Sequence, residues 1–184
     1  MHVNKTQVLC MDIHNFFPSI NINQVFEAFH CVGYTSDVAQ ALAQLCTHNA
    51  ILPQGAPTSP TLANIIFSPI DQQILNAIST KEITYTRYAD DLIFSSSHEL
   101  DFLIPLVSEI ISTNGFEINS NKTHLMKNPY RKMITGLIVT DTVKIPKYYK
   151  RKFNQELFYC EKYGVASHLK NCKTHKKVNF KEYM

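Results

Sequence analysis

Three aspartates stand at the borders of apolar, β-prone segments. Asp12 closes VLCMDI (8–13), and Asp90 and Asp91 lie side by side within YTRYADDLIFSS (85–96). Adjacent carboxylates repel, and aspartate weakens strand pairing around it. Such a pair either rests on a solvated turn or is held by positive charge. Carboxylates converging at strand ends suit hard cations, which take oxygen ligands and share them with substrate phosphates. Two such ions, about 4 Å apart, stabilise the attacking and leaving oxygens of an in-line phosphoryl transfer. The aromatic Tyr88 just ahead of the pair, with Ala89 between, and the apolar run directly after it favour a built site over a free turn.

The elements that must position these groups follow from pattern and punctuation. Residues 8–13 read as a buried strand. Asn23 is placed to cap a helix through about His30, and Ser36 another through about His48. The segment ILPQGAPTSP (51–60) is a loop, after which Ser59 and Pro60 open a helix to about Ser79. ITYTRYA (83–89) and LIFSSS (92–97) read as strands joined by a tight turn at Asp90-Asp91. A helix over 99–114 ends at Asn114-Gly115, short strands follow near 116–118, 123–127 and 133–139, and Pro146 opens a last helix ending around Gly164. The order β–αα–loop–α–ββ–α–β–β predicts an α+β fold, with helices on one face of an antiparallel sheet. Such a sheet brings Asp12 beside Asp90.

Composition bounds the rest. At 184 residues, with 45% hydrophobic and 18% charged content, the chain has the length and balance of one globular domain rather than a disordered segment. No run approaches the length of a membrane helix, and residues 1–12 lack the features of a secretory signal. The odd cysteine count, 5, and the absence of a CxxC pair argue for free thiols in a reducing cytoplasm. The net charge of +3 hides an asymmetry: from residue 141 onward there are 11 Lys/Arg against 4 Asp/Glu, and before it 7 against 11. A basic tail on an acidic body points toward a polyanionic partner.

YADD (88–91), DIHNFF (12–17) and LPQGAPTSPTLAN (52–64) resemble motifs of reverse transcriptases of the bacterial retron and group II intron type, in the family's order and spacing. GFEINSNKTHL (115–125) and ITGLIV (134–139) look like the two motifs that follow, and the ITG triplet leans toward the retron type. The resemblance implies a polymerase palm over residues 1–140 and part of a basic, helical thumb over 141–184. It implies an RNA-directed DNA polymerase that adds dNTPs to a primer 3′-hydroxyl by two-metal chemistry. Asp12, with the Ile13 carbonyl beside it, Asp90 and Asp91 would hold two Mg²⁺ ions, with Mn²⁺ a substitute. Lys122 would stand near the leaving pyrophosphate as a general acid or charge stabiliser. Phe17 matches the ring that excludes a ribose 2′-hydroxyl, and Gln54 and Gly55 match the nucleotide-contacting loop. Tyr88, Thr135 and Gly136 would contact the primer. An RNA template, a DNA or RNA primer, a structured noncoding RNA and a role in anti-phage defence are implied in the same way.

The resemblance also has gaps. Members of the family carry a fingers region before the strand that holds Asp12, and that region is expected to be missing here or supplied by another protein. NFKEYM (179–184) looks like the start of a longer thumb segment. A second reading is therefore an inactive fragment or remnant that binds nucleic acid. HLKNCKTH (168–175) offers His168, Cys172 and His175, but their spacing fits no standard zinc site. KYYKRKF (147–153) suits a nucleic-acid backbone with stacking bases, although Tyr149, Phe153 and Leu157 at helical spacing suit a core as well.

Overall fold

The computed structural model describes residues 1–127 and 132–171. Its centre is a four-stranded antiparallel sheet of β1 (Gln7–Asp12), β2 (Thr84–Tyr88), β3 (Asp91–Ser96) and β4 (His124–Lys127), in the order β2-β3-β1-β4. Alternation along β1 decides what each face does. Leu9 and Met11 point into a core shared with Leu92 and Phe94, while Val8, Cys10 and Asp12 point the other way.

The inward face is covered by helices α1 (Ile22–Val32), α3 (Ser59–Ile78) and α4 (Leu103–Thr113), with α2 (Ser36–Cys46) packed against α1. Phe67 of α3 is fully buried and meets Phe16 and Phe116 edge-on at centroid distances of 5.5 and 5.3 Å. The opposite face carries a smaller sheet, β5 (Lys132–Ile134), β6 (Leu137–Val139) and β7 (Val143–Lys144), whose Ile134 and Val139 pack on Val8 and Ile93. This architecture is the expected α+β arrangement, and the second sheet is an addition to it. Helices α5 (Lys147–Tyr163) and α6 (Val165–Asn171) complete the described chain, and α5 buries no residue.

Local chemistry shifts several expected boundaries. The first helix is capped by Asn21, not Asn23, because Asn21 and Gln24 form a reciprocal capping box. Helix α4 starts at Leu103 rather than 99, since Pro105 is tolerated only in a first turn. The 133–139 segment is a hairpin turning at Thr135-Gly136, and 116–118 contributes only an isolated bridge, Ile13 to Ile118. Pro69 lies inside α3, where its missing N–H cannot supply the helical bond to the Ile65 carbonyl one turn earlier. No helix among the described residues is long and apolar enough to cross a membrane.

Candidate active site

In the register of β1 against β3, Asp12 faces Asp91, and residues paired in this way share a face. That face is the one without helices. A one-residue slip of either strand would turn that strand's carboxylate into the hydrophobic core. The turn between β2 and β3 is Ala89-Asp90, since Tyr88 already pairs with Asp91. The expected Asp90-Asp91 turn is thus displaced by one residue, and Asp91 belongs to a strand. Ala89 takes φ 52°, a left-handed conformation that costs a non-glycine residue about 1 kcal/mol. The turn is tied to β1 by the Ile13 amide, which donates to the Asp90 carbonyl at 3.0 Å.

Asp12 is buried, and its side chain accepts a bond from the Lys122 ammonium at 3.0 Å. Lys122 ends a short 3₁₀ turn, Ser120–Lys122, which the Asn119 amide anchors to the Asp12 carbonyl at 2.8 Å. The ammonium is raised above the usual lysine range, first by its hydrogen bond to Asp12 and then by the charge of Asp12. The Asp91 carboxyl is also raised, by partial burial and then by the charges of Asp90 and Asp12, with Lys122 opposing. Three carboxylates therefore share one electrostatic environment, and among the described residues Lys122 partly offsets them.

An open pocket of about 470 Å³ lies here, floored by Cys10, Ile93 and Met126 and walled by Asp12, Asp91, Lys122 and Thr135. Cys10 precedes Asp12 by two positions, so strand alternation puts it on the same face. Burial and the Asp91 charge push its thiol up to about 11, so it is an unionised, apolar wall. Thr135 lines the opposite side at φ 45°, unusual for a β-branched residue, beside Gly136 at φ 81°. Tyr88 shares the face of Asp91 and is 72% exposed, which leaves its ring free to meet a ligand.

Asp12 and Asp91 supply the carboxylate oxygens that a hard divalent cation takes, Cys10 and His124 also line the pocket, and the Lys122 ammonium rests on Asp12. No three His, Cys, Asp or Glu side chains among the described residues close around one point, and Lys122 stands within the cluster instead. The remaining expected site residues lie on separate elements. Phe17 is half-buried and edge-on to Phe16 at 5.4 Å, supported by the aromatic core rather than lining the pocket. Gln54 and Gly55 are exposed on a loop pinned by the Ser59 hydroxyl, which donates to the Pro53 carbonyl at 2.6 Å. Gly55 has φ 92°, and open space surrounds the position a Cβ would take.

Sequence reasoning missed the groups behind the turn. Arg87 pairs with Asp71 at 2.7 Å, Tyr85 donates to the same carboxylate at 2.7 Å, and both lie on the helix-covered face. The signal was present: alternation turns an arginine inward between two outward residues, and an inward charge requires a partner. Of the discounted zinc set, His168 pairs with Glu156 and stacks on Tyr159 at 5.5 Å, while Cys172 and His175 lie outside the described residues.

The profile described as "Reverse transcriptase (RNA-dependent DNA polymerase)" matches residues 2–175. The chain is 33% identical over 178 residues to the retron Ec86 reverse transcriptase of Escherichia coli, covering 92% of this chain and 54% of that one. It is 31% identical over 166 residues to the retron Mx65 reverse transcriptase of Myxococcus xanthus, covering 79% and 39%. The chain thus spans about half the length or less of these curated relatives. In fold it is similar to an apo telomerase from Candida tropicalis truncated from its C-terminal domain, with a TM-score of 0.58 at 16% identity over 76% of this chain and 35% of that one. With a palm-like sheet, carboxylates paired across its open face and a family match along nearly its whole length, the chain belongs to the reverse transcriptases and is similar to those of bacterial retrons.

Proposed function

We propose that this chain carries the polymerase centre of a retron-type reverse transcriptase, an RNA-directed DNA polymerase that extends a primer 3′-hydroxyl with dNTPs. The observation that carries this reading is the pairing of Asp12 with Asp91 on the helix-free face, with Asp90 on the adjoining turn and Lys122 among them. Residues 1–140 form the palm in this reading, and 141–184 belong to a basic thumb.

Asp12, Asp90 and Asp91 are the side chains that would hold divalent cations, with the Ile13 carbonyl beside them. Mg²⁺, or Mn²⁺ in its place, supplies charge neutralisation for the triphosphate and a lowered pKa for the primer hydroxyl when bound. Lys122 would stand near the leaving pyrophosphate as a charge stabiliser or general acid, and its Asp12 bond, which raises it above the usual lysine range, favours the first of these roles. The ring of Phe17, backed by Phe16, is a rigid plane against which a 2′-hydroxyl would clash. The exposed Gln54 amide can both donate to and accept from a nucleotide, and Gly55 lets the backbone come close. Tyr88, Thr135 and Gly136 would meet the primer strand. RNA template, primer and dNTPs are the partners; a structured noncoding RNA and a role in anti-phage defence belong to the same reading.

The test is primer extension on an RNA template with Mg²⁺ and dNTPs, beside an Asp90→Asn, Asp91→Asn double variant. Extension by the wild type and its loss in the variant is the expected result. RNA binding with no extension by either would replace this reading with that of a nucleic-acid-binding module. The exposed aromatics of α5, Tyr149 and Phe153, set among Lys150, Arg151 and Lys152, are the observation that favours that second reading.

A further inference from the structure

We infer that Arg87 is the positioning residue of the carboxylate turn: by bonding the Ala89 carbonyl it fixes Asp90 and Asp91 where a cation can use them. The inference deepens the metal-dependent reading of the site and rests on it. Arg87 lies opposite Leu92 in the β2–β3 pair, so it points away from the carboxylates and toward the helices. A guanidinium on that apolar face is tolerated only if its donors are satisfied. Nε and one terminal nitrogen meet both oxygens of Asp71, at 2.9 and 2.7 Å. The other terminal nitrogen donates to Asn64 Oδ1 at 2.9 Å and to the Ala89 carbonyl at 3.1 Å. Its flat face lies over Phe67, 4.6 Å from the ring centroid.

The last of these bonds reaches the site. Ala89 is left-handed, a conformation that alanine adopts only when its surroundings hold it there. Its carbonyl is held by Arg87, and the next carbonyl, that of Asp90, by the Ile13 amide. Two consecutive carbonyls, one pinned by Arg87 of β2, itself held to α3, and the other by Ile13 just after β1, fix the direction in which the chain enters Asp91. Arg87 acts through geometry rather than charge. Its positive charge is taken up by Asp71, and the charges that act on Asp91 are those of Asp90, Asp12 and Lys122. A planar fork is needed because one side chain must bridge a helix carboxylate, a helix amide and a turn carbonyl together.

The test uses the chain as it stands with Arg87→Lys, which keeps a charge for Asp71 and loses the fork. Three readouts are taken: amide hydrogen exchange, melting temperature, and Mn²⁺ binding followed by electron paramagnetic resonance. In the variant, exchange is expected to quicken at residues 88–91 and at the Ile13 amide, while protection at Leu9 and Phe94 is kept. Mn²⁺ affinity is expected to fall by about 10- to 100-fold, the usual effect of removing a group that orients metal ligands. Unchanged exchange at the turn overturns the proposal. So does loosening of the whole sheet with Mn²⁺ affinity intact, the signature of a merely structural arginine. If Arg87→Lys does not fold, Asn64→Ala on the exposed side of the network replaces it, with the same directions expected. An Asp91→Asn control separates the two levels. Mn²⁺ binding that ignores this substitution sinks the metal-site reading, while turn exchange still decides whether Arg87 holds the turn.

Discussion

Asp71 and Asp91 are two carboxylates served by one hairpin, and the protein treats them in opposite ways. On the helix-covered face Asp71 is met by the Arg87 guanidinium and the Tyr85 hydroxyl, which satisfy both of its oxygens. On the open face Asp91 stands with Asp90 and Asp12 and has one lysine among three acids. The first is an anchor. The second is a charge surplus that the fold maintains in reach of solvent. The difference teaches where to look for chemistry: a satisfied carboxylate holds structure together, whereas an accumulation of uncompensated ones awaits a positive ligand.

Substitutions at the two carboxylates should therefore part company. Asp91→Asn is expected to lower primer extension by at least about a thousandfold, or roughly 4 kcal/mol of transition-state stabilisation, in single-turnover assays. Retained extension would break the comparison at its active end. Phe67→Ala, beneath the anchored face, should cost about 3 kcal/mol in urea unfolding, because it empties the junction with Phe16 and Phe116. Asp71→Asn leaves the Arg87 charge short of its partner and should cost about 2 kcal/mol, below the range for fully buried pairs since the Asp71 side chain is 24% exposed.

A smaller effect has the opposite sign. The Asp91 carboxyl is held above its ordinary value, so its charged form is disfavoured in the fold. The stability linked to it is present below the ordinary carboxylate pKa and is lost as pH rises through the raised one. Asp91→Asn should therefore melt about 1 to 3 °C above the wild type at pH 7, with the gap closing in acid. Smaller still is the effect of His2, which is bonded to Ser95 and Thr86 at 2.7 and 2.8 Å and lowered by burial and the N-terminal amine. Its stability is present above the ordinary histidine pKa and fades as pH falls below it, by under about 1 kcal/mol in calorimetry between pH 7 and 5.

Much of the open face was legible beforehand. Asp12, Asp90 and Asp91 stand out because acids at the ends of apolar runs have no local explanation, and the α+β order follows from the alternation of the two periodicities. The anchored face was harder to read. Alternation turns Arg87 inward, but nothing near Asp71 announces it as the partner, and their pairing depends on a helix and a strand meeting in space. The one-residue displacement of the turn has a similar cause. Ala89 accepts a left-handed backbone because Arg87 and Ile13 hold the two carbonyls there, and local propensity favours aspartate over alanine in a turn. Cys10 follows from strand alternation, but only its neighbours make it a wall of the pocket. The split of 133–139 into a hairpin was signalled by Gly136, although a Thr at φ 45° before it is not a residue that turn chemistry suggests.

The central place of β1 has a consequence for how the chain reaches this state. Both strands that flank it, β3 and β4, come much later in the chain, and the Lys122–Asp12 contact closes a separation of 110 residues. During synthesis the VLCM strand emerges with two unpaired edges and waits for most of the domain before either is covered. Long closures of this kind slow folding, and an apolar strand open on both sides invites pairing with other chains. The centre assembles late, and a ribosome-bound intermediate that stops before β3 holds an aggregation template in place of the paired carboxylates.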